Sequence, residues 1–254
     1  MPDAPSIASI TNRLRNESQR LNRPFQEIVE LYGFSGFLRR LSLSAHNQSF
    51  VLKGAQVFAA WGIPLGRPTR DLDFRGYTNN SIEELQQIIQ DICQIPVDPP
   101  DRLLFDTHNI RSERITMDMD YPGIQTKFQA RLGNIRIPLK IEVGFNDLIT
   151  PPTIWVNYPS FLGLPQPRLR AYPPEAVLAE TVETLVKKGE TNSRLKDFYD
   201  LYVLSKIFDF EGAVVQQSIK VTFHQRGTSV PSDTPSELSA GFAFRNQASW
   251  EKRL

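Results

Sequence analysis

The run Ile135-Arg-Ile-Pro-Leu-Lys-Ile-Glu-Val-Gly-Phe145 constrains the fold of this chain more than any other segment. Ile135, Ile137, Leu139, Ile141, Val143 and Phe145 alternate onto one face, while Lys140 and Glu142 fall on the other. A period of two is the signature of a β-strand with one apolar face. Pro138 has no backbone donor, so an edge or a bulge is expected there. Glu142 keeps two readings: an exposed charge on a sheet, or a metal-binding carboxylate if a second acidic strand runs alongside.

Such a strand is at hand in Arg67-Pro-Thr-Arg-Asp-Leu-Asp-Phe74. Residues i and i+2 of a strand share a face, so Asp71 and Asp73 present two carboxylates side by side while Leu72 and Phe74 face the core. Paired carboxylates suit Mg²⁺, which takes oxygen ligands, and two such ions ~3.5 to 4 Å apart can activate an attacking oxygen and stabilise a leaving one. The bare pattern is weak, because Asp118-Met-Asp120 repeats it and reads as a solvated strand or hairpin end. Context separates the two. Upstream of Asp71, Lys53-Gly54-Ala55 lies where a strand meets a helix N-terminus, whose free N–H groups favour a phosphate. An ordinary tight turn is the alternative there.

Helical spacing of apolar residues runs from Ile7 to about His46, through Phe25, Ile28, Val29 and Tyr32. Val51-Leu52 is expected as a strand, Val57 to Trp61 as a short helix, and Thr69 to Phe74 as a strand. Ser81 caps a helix from Ile82 to about Cys93, with Glu84 completing a capping box. Further strands are expected at Leu103 to Phe105, Ile110 to Met117, Ile124 to Leu132 and Ile135 to Phe145. Prolines between Thr150 and Pro174 mark a connector. The expected class is α+β: a mixed sheet flanked by helices over residues 1–150, then the connector and a C-terminal helical region over 151–254.

In that region Pro173 or Pro174 opens a helix that stops at Gly189, and Asn192 or Ser193 caps a second that runs to about Phe208. Arg194, Asp197 and Asp200 share one side of the second helix. Surface ion pairing, including Lys196 with Asp200, is the simplest reading of them.

The 254 residues hold 29 basic and 28 acidic side chains, so any nucleic-acid or membrane binding must come from a local patch. Cys93 is the only cysteine, and His46, His108 and His224 are scattered, which excludes a cysteine-rich zinc site and fits a reducing compartment. No apolar run approaches the ~18 residues of a membrane span. A cytoplasmic protein without membrane association is expected.

Taken together, Phe50-Val-Leu-Lys-Gly-Ala55, the Arg67–Phe74 run, Lys140-Ile-Glu-Val-Gly-Phe-Asn-Asp147 and Asn192-Ser-Arg-Leu-Lys-Asp-Phe-Tyr-Asp-Leu201 resemble the AbiEii/AbiGii toxin family in both order and spacing. That family belongs to the DNA-polymerase-β-like nucleotidyltransferases, whose toxins act in bacterial toxin–antitoxin and phage abortive-infection systems. The resemblance implies transfer of a nucleotide from a nucleoside triphosphate to RNA, notably the 3′ end of tRNA, and a cognate winged-helix antitoxin. It implies that Asp71 and Asp73 bind Mg²⁺, with Glu142 as a third metal ligand or as acceptor of the hydroxyl proton, and that Lys53, Gly54 and Ala55 hold triphosphate, with Arg70, Arg194 and Lys196 also contacting nucleotide. Asp197 and Asp200 belong to the helix motif that borders the active site.

Three features depart from the family pattern. Relatives usually carry Asp where this chain has Glu142, and Lys where Thr181 follows Ala179-Glu180. Ser249 to Leu254 resembles the start of a terminal helix that relatives continue, so a chain cut short is expected. A catalytically impaired homologue that keeps nucleotide or antitoxin binding is therefore an alternative, as is an enzyme that modifies a small molecule or protein.

Overall fold

The structure is a computed structural model that describes residues 5–63, 69–117, 121–189 and 195–247. It divides into two compact units, Met1–Asn146 with Ile154–Ala171, and Asp147–Thr153 with Tyr172–Leu254.

The first unit begins with helices α1 (Ile7–Leu21) and α2 (Phe25–Leu43). Strand β1 (Phe50–Lys53), helix α3 (Ala55–Ala60), strand β2 (Leu72–Gly76) and helix α4 (Ile82–Gln94) follow. The remaining strands are β3 (Leu104–Met117), β4 (Tyr121–Leu132), β5 (Ile135–Phe145), β6 (Ile154–Asn157) and β7 (Arg168–Ala171). They form one seven-stranded mixed sheet of order β3-β4-β5-β2-β1-β7-β6. The class is α+β, as the alternation of helical and strand periods predicts. The proline-rich stretch read as a connector itself supplies the two short strands at one edge.

One face of this sheet carries the core. Ile137, Leu139, Ile141 and Val143 of β5 join Leu72 and Phe74 of β2 and Leu52 of β1 beneath α2 and α4, all of them buried. Helix α2 is buried over most of its length, and it reaches the sheet because it has no side chain at position 33. A Cβ on Gly33 would stand 2.7 Å from Ile137 Cγ2. The same helix anchors the irregular segment after α4. Arg40 makes a paired bond to Asp101, at 2.5 and 3.0 Å, Tyr32 Oη donates to the Asp101 carbonyl at 2.7 Å, and Arg39 donates to the carbonyls of Asp98 and Pro99.

Three local expectations are corrected. Helix α2 stops at Leu43, where Ser44 leaves the helix in extended conformation. Ser81 Oγ accepts from the Glu84 N–H as a cap should, but Ser81 N–H bonds the Asn79 carbonyl and the Glu84 carboxylate takes the Asn79 amide, so the reciprocal half of the box is replaced. The two strands expected at 103–105 and 110–117 are one strand, β3, with a register shift between Asp106 and Arg111. Pro138 sits where β5 has β4 on one side and lies beyond its pairing with β2, which spans 141–145. The edge expected at this proline is thus local.

The second unit contains α5 (Pro174–Lys188), α6 (Leu195–Ile207), α7 (Gly212–Gln225) and α8 (Ala240–Arg245). Pro174 occupies the first turn of α5, where a missing N–H costs nothing, and Gly189 ends the helix at φ 55°. The α6 cap expected at Asn192 or Ser193 lies outside the described residues. Helix α7 packs on α5 around a buried charge cluster in which Arg226 meets Glu180 at 3.1 Å and Glu183 at 2.9 Å. Burial opposes the Arg226 charge, yet Glu180, Glu183 and Asp147 more than offset this and hold its pKa raised.

Candidate functional site

The parallel pairing of β2 with β5 places Asp73 directly beside Glu142. Asp71 lies one residue before β2 and faces the same way, while Leu72 and Phe74 point into the core. The three carboxylates predicted from separate segments thus come onto one face of two neighbouring strands. The β1–β2 pairing then sets Lys53 opposite Asp73.

Between two of the carboxylates stands Lys140. Its Nζ is 2.8 Å from Asp71 Oδ2 and 3.0 Å from Glu142 Oε1, and Gln125 Nε2 from β4 donates to the same Glu142 oxygen at 2.7 Å. Burial lowers the Lys140 pKa, but the bonds to Asp71 and Glu142 outweigh it and leave the ammonium raised above its ordinary value. The roles of Lys140 and Gln125 were missed in the sequence. Alternation put Lys140 on the acidic face, but only the strand register shows that its head lies between Asp71 and Glu142.

Gly54 approaches this cluster from β1. Its backbone is at φ 65°, ψ −155°, and a Cβ there would lie 2.2 Å from Asp73 Oδ2. Lys53 is buried at the end of β1, and Ala55 opens α3. The neighbouring Gln56 is fully buried and accepts from Tyr158 Oη at 2.6 Å, which ties the start of α3 to the chain beyond β6. Exposed Arg70 and the half-buried Lys140 line a cavity of about 1000 Å³, together with Arg111 and Lys127, and with Glu27 and Glu30 of α2.

The donor chemistry suits a hard divalent cation. Asp71 and Glu142 already bracket a positive charge at hydrogen-bond distance, and Asp73 is adjacent in register. Among the described residues no three acidic, histidine or cysteine side chains form a ready metal cage. A metal bridging Asp71 and Glu142 would compete with Lys140 for their oxygens.

In the second unit, α6 carries buried Asp197 and the partly exposed Lys196 and Asp200. Arg194, Asp118 and Asp120 lie outside the described residues. Thr181 Oγ1 donates to the Val177 carbonyl of its own helix at 2.7 Å. Among the described residues, no helix is long and apolar enough to cross a membrane.

A family model described as "Nucleotidyl transferase AbiEii toxin, Type IV TA system" matches residues 36–254. Two solved structures are similar to the chain. JHP933 from Helicobacter pylori has 18% identity and a TM-score of 0.40, over 80% of this chain and 95% of that one. An antigenic nucleotidyltransferase-like protein from Paracoccidioides brasiliensis has 13% identity and a TM-score of 0.46, over 78% of this chain and 89% of that one. No curated protein matches.

Proposed function

The chain belongs to the AbiEii family of nucleotidyl transferase toxins of type IV toxin–antitoxin systems, and from that membership we propose that it transfers a nucleotide from a nucleoside triphosphate to RNA, with the 3′ end of tRNA as acceptor. The observation that carries this reading is the pairing of Asp73 with Glu142, which gathers the acidic side chains of two strands beside the Gly54 turn. We place the protein in the cytoplasm, with a winged-helix antitoxin as its genetic partner.

Asp71, Asp73 and Glu142 are the residues that would hold Mg²⁺. A metal held there would supply stabilisation of the charge that develops on the attacked α-phosphate and on the departing pyrophosphate. The rest is the work of the chain. Gly54 brings backbone close to Asp73, so a triphosphate lying on the Lys53-Gly54-Ala55 turn has its α-phosphate near the carboxylates. Arg70, exposed one residue before Asp71, supplies positive charge to the triphosphate. Glu142, whose carboxylate accepts from Gln125 and Lys140, would alternatively take the proton of the attacking hydroxyl in this reading. Positioning and charge account for most of the catalysis. Lys196, Asp197 and Asp200 of α6, and Arg194 before them in the sequence, keep in this proposal the roles that the family resemblance implies for them.

A second reading, binding without turnover, is favoured by Thr181. Its hydroxyl bonds its own helix and brings no cation to a triphosphate. One experiment separates the readings: the purified protein is incubated with labelled nucleoside triphosphates, Mg²⁺ and total RNA, beside Asp71→Ala and Asp73→Ala. Label in tRNA that both substitutions abolish is the expected result. Label in protein or small molecules redirects the acceptor, and nucleotide binding with no label anywhere indicates the impaired copy.

A further inference from the structure

On the sheet face that bears Asp71 and Asp73, one row of residues crosses four strands in register. Arg75 of β2 lies opposite Val51 of β1, Val51 opposite Arg170 of β7, and Arg170 opposite Trp155 of β6. The reverse face of the same strands is core, with Phe74, Leu52 and Leu169 buried. The row therefore belongs wholly to the functional side of the sheet.

Two aromatic rings and three guanidinium groups meet along it. Tyr77 and Trp155 are 48% and 44% exposed. Arg75 Cζ lies 3.4 Å and Arg170 Cζ 5.2 Å from the centre of the Tyr77 ring, and Arg168 Cζ lies 5.2 Å from the centre of the Trp155 ring. The Gln48 carbonyl accepts from Arg170 Nη1 at 3.0 Å and orients that guanidinium. A guanidinium set over a ring keeps N–H groups at its rim, where a phosphate can bind, while ring and guanidinium faces suit a base. The net charge of the chain is +1, so this concentration of arginines is local rather than part of a diffuse basic field.

We propose that this arginine–aromatic strip is the track for the unpaired end of the RNA acceptor. The inference rests on the nucleotidyl-transfer reading above and adds where the acceptor lies. Phosphates seat on Arg75, Arg168 and Arg170, and bases stack against Tyr77 and Trp155. The strip spans three interstrand steps, about 14 Å, enough for a short run of nucleotides. Moving two residues along β2 from Arg75, about 7 Å, reaches Asp73. A strand held by its phosphates on the arginines thus delivers its terminal hydroxyl to the carboxylates. An acidic peptide would satisfy the arginines and leave the two rings unused.

The test is a fluorescence and anisotropy titration of the full chain with a labelled single-stranded RNA, an RNA duplex and polyglutamate. Trp61 and Trp250 also emit, so Trp155→Phe identifies the reporter. Expected are quenching by single-stranded RNA that Trp155→Phe removes without loss of affinity, and binding weakened about tenfold by Trp155→Ala. Arg168→Gln with Arg170→Gln should lower the slope of log affinity against log salt by about 1.4, at roughly 0.7 per phosphate on a single strand. Wild-type affinity in the alanine and glutamine variants, or equal quenching by polyglutamate or duplex, overturns the strip. Should those variants bind RNA normally while wild type still labels RNA, only the strip fails. If wild type binds single-stranded RNA through the strip yet labels no RNA, the strip stands and the transfer reading fails.

Discussion

Gly54 and Asp73 approach so closely that no side chain fits between them: a Cβ at position 54 would stand 2.2 Å from Asp73 Oδ2. The turn that ends β1 and the carboxylate on β2 are therefore one unit of structure. Any residue at position 54 other than glycine must move the acid.

Gly54→Ala is expected to lower stability by about 1–3 kcal/mol, since it combines a backbone at φ 65° with the displaced carboxylate. It should also abolish transfer. Urea unfolding read beside the labelling assay checks both. A fully active Gly54→Ala protein would show that Asp73 need not hold this position.

Lys140→Met removes the charge that stands between Asp71 and Glu142. The metal-free protein should lose well under 1 kcal/mol, because the three groups are partly exposed. Affinity for Mn²⁺, measured by the signal of the free ion in spin resonance, should rise several-fold as the competing ammonium disappears. Unchanged or weaker Mn²⁺ binding would mean that Lys140 does not compete for the site.

Arg40 and Asp101 form a buried pair, with side chains 7% and 2% exposed. Replacing Asp101 by Ala should cost about 3–5 kcal/mol, because it leaves a buried guanidinium without its acid. Arg40→Met with Asp101→Leu should cost clearly less than the sum of the single changes. Denaturant midpoints for the four proteins of the cycle test this, and additive losses would argue against coupling.

Burial pushes the Cys93 thiol up from 9.0 to about 12, and raises Tyr32 and Tyr158 as well. The unfolded chain therefore releases these protons at lower pH than the folded one. Stability is intact below pH 9 and falls as pH rises from 9 toward 12, with each group contributing about 1.4 kcal/mol per pH unit inside its window. Melting temperatures from pH 8 to 11 should decline, and Cys93→Ala should flatten the decline. The native thiol should also resist alkylation at pH 8 until denaturant is added.

Sequence alone determined the elements whose signals are local. Alternation from Ile135 to Phe145 defined β5, proline and glycine bounded α5, and Ser81 started α4. The i, i+2 spacing put Asp71 and Asp73 on one face. These follow from backbone sterics and hydrogen bonding within a few residues, so a single segment suffices to read them. Strands β6 and β7 and helices α7 and α8 carry weaker local signals: the strands are four residues each amid prolines, α7 has no side-chain cap, and the Ser239 cap of α8 precedes only six helical residues.

Tertiary structure decided what lies beside what. No local rule says that β5 pairs with β2 rather than β1, and only that pairing sets Glu142 beside Asp73 and the Lys140 head against Asp71. The strip from Arg75 to Trp155 likewise exists only because β1, β7 and β6 follow β2 in the sheet. A strand dictates which of its side chains share a face, but the order and register of its neighbours depend on how the whole core packs. The chemistry written at Asp71 and Asp73 is a property of the chain, and its surroundings are a property of the fold.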